Sequence, residues 1–137
     1  MSDAAWNPLP DDEMLARFVF LEKGWIRPDN TVKQDAFMPP KDLQLSVTRH
    51  AGISTEQLND AGRSVAAKMS LTAQRSFRFC GRADIQTRMV VKNALKAVAW
   101  PLADDANHAH IIGWPTDKAS QKTIAQELAA ATKFVPA

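Results

Sequence analysis

The chain has 137 residues, a formal net charge of +2, 45% hydrophobic and 23% charged residues, the size and make-up of one ordinary globular domain that can bury a core unaided. Its single cysteine, Cys80, excludes an intramolecular disulfide and fits a reducing compartment. No apolar run approaches the roughly 18 residues that span a bilayer, and no basic segment leads into an apolar one. The expectation is therefore a cytoplasmic, non-membrane protein.

In chain order, residues 1–13 carry Trp6, Pro8 and Pro10 among four acids (Asp3, Asp11, Asp12, Glu13) and read as an acidic, irregular arm, with Trp6 able to tie it to the body. Residues 14–137 read as a single domain. Segment 15–21 is short, apolar and aromatic on both faces, which predicts a central strand. Arg27-Pro28-Asp29-Asn30 is a turn signal, and 33–42 a loop around Met38-Pro39-Pro40. Segment 43–49 alternates Leu43, Leu45 and Val47 with Gln44, Ser46 and Thr48, the pattern of a half-buried strand. Arg49 falls on its apolar face, where a guanidinium needs an acid, a carbonyl or a ligand anion beside it.

Ser54 and Gln57 form a capping-box spacing ahead of a helix over 55–69, with Leu58, Ala61, Val65 and Met69 as its inward stripe. Phe77-Arg78-Phe79-Cys80 predicts a strand over 77–80. Gly81-Arg82-Ala83-Asp84 then reads as a turn that caps a helix over 84–94. A strand over 96–100 is stopped by Pro101, and an acidic loop with Asp104 and Asp105 leads into a last strand over 108–114. There His108, His110, Ile112 and Trp114 should share one face. Thr116-Asp117 opens a helix over 117–133. This irregular order of strands and helices predicts an α+β fold: a mixed or antiparallel sheet of about five strands covered by two or three helices.

Three groups of residues could carry function. His108 and His110, adjacent on one strand face, could share a divalent metal, for which zinc would need a third ligand from His50, Asp104, Asp105 or Cys80. No Cys-x-x-Cys or His-Glu-x-x-His motif supports that site. No resident cofactor is otherwise implied. Arg49 and His50 stand at a strand end before a helix start, a common place for anions. With Arg82, Asp84, Asn107, His108, His110 and Trp114 they form the candidate ligand-binding set. The third group lies in the basic run 63–96, where eight bases meet one acid, a local balance of +7. Within it Arg75, Arg78, Arg88 and Lys92 are the candidate contacts to nucleic acid, with Phe77 and Phe79 as stacking groups, although core is the commoner fate of two such phenylalanines.

The function expected from these residues is a small binding module that engages a phosphate-bearing ligand, nucleic acid or nucleotide included, through the basic region. Two other classes compete. One is a protein-interaction subunit of a larger assembly without chemistry of its own, suggested by Trp25, Trp114 and the proline loops. The other is a metal-dependent hydrolase built on the His-x-His strand, which would need His50, His108 and His110 to converge.

Overall fold

The structure, a computed structural model, describes residues 7–137. Its frame is one six-stranded sheet made of β1 (Met14–Phe20), β2 (Leu45–Arg49), β3 (Phe79–Gln86), β4 (Lys96–Ala99), β5 (His108–Ile112) and β6 (Lys133–Pro136). The strands lie in the order β4-β5-β2-β1-β3-β6, and every pairing is antiparallel. Helices α1 (Thr55–Ala73), α2 (Thr87–Lys92) and α3 (Lys118–Ala130) complete an α+β domain. No helix among the described residues is long and apolar enough to cross a membrane.

Strand alternation divides the sheet into two unlike faces. Leu15, Val19, Leu45, Val47, Ala83, Ile85, Ala109 and Ile111 point to one side. There they join Ala125 and Leu128 of α3, Val90 of α2 and Phe37 of the short 3-10 turn Gln34–Phe37 in one buried apolar cluster. Each fully buried large side chain in it contributes roughly 1.5–3 kcal/mol relative to exposure. On the other side Ala16, Phe18 and Phe20 meet α1 through Leu58 and Ala66, with Phe77 closing a smaller cluster. Register places Ser46 and Thr48 of β2, His108 and His110 of β5, and Arg82 and Asp84 of β3 on this second face.

β1 is central, as its two apolar faces required. α1 starts where the capping box predicted: Ser54 Oγ accepts from Gln57 N, and Gln57 Oε1 accepts from Ser54 N. Gly62 lets this helix press on β3, because a Cβ there would fall against the ring of Phe79. Part of the expected arm is ordered against the sheet edge. Leu9 N donates to Ala97 O and Ala99 N to Asn7 O, and Leu9 is buried. Trp6 lies outside the described residues.

Several boundaries differ from the sequence reading, each for a local reason. Gly81-Arg82-Ala83-Asp84 is no turn and no helix cap; it is the middle of β3, paired to β1 on one side and β6 on the other. Only glycine fits at 81: φ is +151°, and a Cβ would run into the Val135 carbonyl oxygen and lie 2.8 Å from the Phe134 ring. The helix expected over 84–94 is shortened to α2 because Asp84, Ile85 and Gln86 complete the ladder. Leu43 adopts φ +58° and stays out of β2. The last helix ends at Ala130, and Lys133, expected as its final residue, begins β6, the sixth strand. β5 stops at Ile112, since Gly113 at φ +91° breaks the alternation. Trp114 therefore does not share a face with His108 and His110. It packs into the α3-side cluster, its Nε1 donating to Ile111 O.

Candidate functional site

On the second face, α1 roofs β1 and β3, while β5 and its neighbours are covered from the side by the 100–107 loop. Between the two roofs lies a cleft of about 280 Å³, at the small end of the range for ligand pockets. Its floor is Ala16, Phe18, Phe20, Ser46 and Thr48; its helix wall is Ala61, Ser64, Val65 and Lys68. Leu102, Asp104, Asp105 and His108 form the opposite wall. At the mouth Lys68 Nζ donates to Asp104 Oδ2, joining helix to loop. That hydrogen bond, first among the causes, holds the Asp104 carboxyl below its ordinary pKa.

Arg17 and Val47 also reach the cleft, although their side chains leave the strands on the opposite face. The reason is a split in the sheet. β1 and β2 pair only at Leu15↔Arg49 and Ala16↔Thr48, and beyond that point the Arg17 side chain stands where further pairing would be. Its Nε donates to Ala36 O at 2.7 Å, its Nη1 to Ser46 O at 3.1 Å, and its guanidinium lies 5.1 Å from the centre of the Trp25 ring.

His108 and His110 do lie side by side, with ring centroids 4.7 Å apart and planes at 86°. They are not equivalent. His108 Nδ1 lies 3.1 Å from Trp100 O; a carbonyl only accepts, so Nδ1 carries the proton, and Nε2 is the acceptor of the neutral ring. His110 is 7% exposed, stacks on Trp100 at 4.8 Å, and has an Nδ1 with no hydrogen-bond partner among the described residues. Burial, and then the neighbouring His108, lower its pKa. Among the described residues no group of three or more His, Cys, Asp or Glu side chains could hold a metal ion.

The remaining candidates fall elsewhere. His50 reaches across β1 to β3, its Nε2 donating to Asp84 Oδ1 at 3.0 Å. Arg82 Nε binds the same carboxylate at 3.0 and 3.2 Å, and Arg82 Nη1 donates to Asn59 Oδ1 at 3.1 Å. Arg82 and Asp84, expected to face a ligand, instead satisfy each other in a buried network. His50 thus stands apart from the histidine pair on β5, and the convergence required for a three-histidine centre does not occur. Arg49 forms a two-point ion pair with Glu13, at 2.8 and 2.7 Å, which raises its pKa. Asn107 Nδ2 ties the end of β2 by donating to Arg49 O and Ala51 O. Burial raises the Cys80 pKa, the opposite of activation.

The basic run does not make one surface. Arg63 pairs with Asp60, Lys68 with Asp104, Arg78 with Glu22 and Arg82 with Asp84. Arg75 lies 4.6 Å and Lys23 5.4 Å from the centre of the Phe77 ring, while Phe77 itself is buried with Phe18 and Leu58. Arg88 and Lys92 sit on α2, whose Val90 belongs to the cluster on the other side of the sheet from α1. The exposed large apolar residues, Leu21, Leu71, Val91 and Leu102, are likewise spread over four separate segments.

Sequence reasoning missed the cleft as a unit. Arg17 and Ser64 gave no motif, and Ala61 and Val65 read only as helix stripe. One signal was present: a lone arginine at position 17 inside an otherwise apolar strand. Compared with protein-family models, curated proteins and solved structures, the chain finds no match.

Proposed function

We propose that this domain is a binding module for a small ligand with an apolar body, seated in the cleft between α1 and the sheet. The observation that carries this reading is the cleft itself: Phe18, Phe20 and Ala16 on a floor that also holds Ser46 and Thr48, a few polar groups on its walls, and an ion pair across its mouth. That combination suits a small molecule better than an extended polyanion, because four of the eight bases in the 63–96 run are already bound to carboxylates. The phosphate-bearing ligand expected from the sequence is retained in a narrower form, as a molecule small enough to enter. His108 Nε2, Thr48 and Ser64 are among the polar groups that line the cleft and would fix its orientation.

A protein-observed NMR titration with 2-naphthylmethanol tests this. Amide shifts should concentrate at Thr48, Ala61 and His108, and Ala61→Leu, which fills the cleft from the helix side, should abolish them. Shifts scattered over the surface, or unchanged by Ala61→Leu, would remove the cleft as the site.

A further inference from the structure

Among the described residues no carboxylate is bound to the positively charged Arg17. Every other arginine inside the sheet has one: Arg49 has Glu13, and Arg82 has Asp84. Arg17 has two carbonyl oxygens, Ala36 O and Ser46 O, and the face of Trp25. Carbonyls and an aromatic ring ease the burial of a guanidinium but do not neutralise it, and burial alone lowers the pKa of Arg17 to about 10. Nη2 has no hydrogen-bond partner among the described residues, so part of the donor fork remains open.

The position of this charge gives it a use. The split between β1 and β2 puts Arg17 and Ser46 on the wall of the same cleft. The acids of the cleft are on the other wall: Asp104 is bound by Lys68, and Asp105 Oδ1 accepts from Asn107 N. The cleft is thus polarised, with an uncompensated cation at the strand split, apolar groups along the floor, and carboxylates on the loop.

Resting on the small-ligand reading above, we propose that the ligand carries one anionic head, a carboxylate or a phosphate monoester, and that Arg17 at the strand split receives it while the apolar body lies along Phe18 and Phe20. A planar guanidinium fork serves either head by paired hydrogen bonds, and supplies the charge that the site lacks. Lysine would offer the charge without the fork.

The test compares three probes of one shape by calorimetry on the intact protein: 2-naphthoate, 2-naphthyl phosphate and neutral 2-naphthylmethanol. At least one acid should bind tenfold or more tightly than the alcohol. Which acid gains more separates the carboxylate from the phosphate source. Arg17→Gln should erase the preference while leaving alcohol binding within about twofold, and Arg17→Lys should restore only part of it. Equal affinity of wild-type protein for all three probes would overturn the Arg17 proposal and leave the cleft standing. Binding of none of them would overturn the cleft reading, and the proposal with it. Lys68 also lines the cleft, so an acid preference that survives undiminished in Arg17→Gln, or in Arg17→Lys should Arg17→Gln fold poorly, would equally overturn the Arg17 proposal.

Discussion

The two faces of the sheet solve different problems with the same strands. Under α3 the sheet is dry and close-packed: Leu15, Ile85, Ile111, Phe37 and Leu128 are essentially inaccessible, and hydrophobic burial needs no particular partner geometry. On the α1 side the sheet carries Arg82 and Asp84 beneath the helix and Thr48 and His110 beside it, each less than a tenth exposed. Here stability depends on hydrogen bonds and ion pairs as well as on burial: Arg82 and Asp84 satisfy each other, while the buried His110 Nδ1 has no partner among the described residues. The first face holds the domain together. The second has room for a ligand because α1 reaches only β1 and β3 and leaves β2 and β5 to a loop.

The contrast can be broken most severely at Arg82 and Asp84. Replacing Arg82 by Met leaves the Asp84 carboxylate buried with His50 alone, and removing one partner of a buried pair costs about 3–5 kcal/mol. The double change Arg82→Met/Asp84→Leu should recover a large part of that loss, because two apolar side chains of similar volume need no partners. Urea denaturation of the three proteins measures both effects. If the double variant is as unstable as Arg82→Met, burial of charge is not what distinguishes this face, and the shape of the network, including Asn59 and His50, carries the stability instead.

The sequence was legible in proportion to how local each determinant is. The Ser54–Gln57 capping box, the helix start at Thr116-Asp117, where Asp117 and not Thr116 is the cap and accepts from Ser120 N, and the alternation of Leu45 and Val47 are written within a few residues. The structure follows them. Gly81 shows where that reading stops. A glycine before Arg-Ala-Asp has the local look of a turn, yet it is required by the approach of Val135 and Phe134, more than fifty positions away along the chain. Lys133–Pro136 likewise becomes a strand only because β3 offers an edge to pair with. The site was legible in parts. Strand parity put His108 beside His110, but it could not show that Arg82 and Asp84 turn to each other, nor that β1 and β2 part at Arg17. Those are properties of the assembled sheet.

A subtler probe of the polar face is its response to acid. His110 titrates below its unfolded value of about 6.5 because burial disfavours the imidazolium. Between the folded and unfolded pKa values the unfolded chain holds more protons, so this ring's contribution makes stability rise with pH across that window. It is lost progressively as pH falls below about 6.5. Asp42, which faces His110 and favours its charged form, only moderates the effect. His110→Phe keeps the stack on Trp100 and removes both the proton and the unpartnered Nδ1. The variant should gain on wild type as pH is lowered from 7.5 to 5.5 in denaturant titrations. A constant difference between the two proteins over that range would mean that His110 does not take up its proton on unfolding there.

The smallest effect is expected at the mouth of the cleft, and it is the one that speaks to access. Lys68 and Asp104 are both more than half exposed, so water and salt remove most of what their attraction could add to stability. Lys68→Ala should therefore leave the midpoint of thermal unfolding nearly unchanged. Its consequence should be local. The loop that Asp104 belongs to is closed by two reciprocal hydrogen bonds, Leu102 N to Asp105 O and Asp105 N to Leu102 O, and the ion pair is what fastens this small unit to α1. Without it, the amide protons of Leu102 and Asp105 should exchange several-fold faster while those of β1 and β3 keep their protection, since local opening is independent of global stability. Unchanged exchange in the loop would show that its own two backbone bonds, with Trp100 N donating to His108 O at its base, keep it closed without the ion pair. The cleft would then be a fixed opening whose size selects its ligand, with no clasp to release.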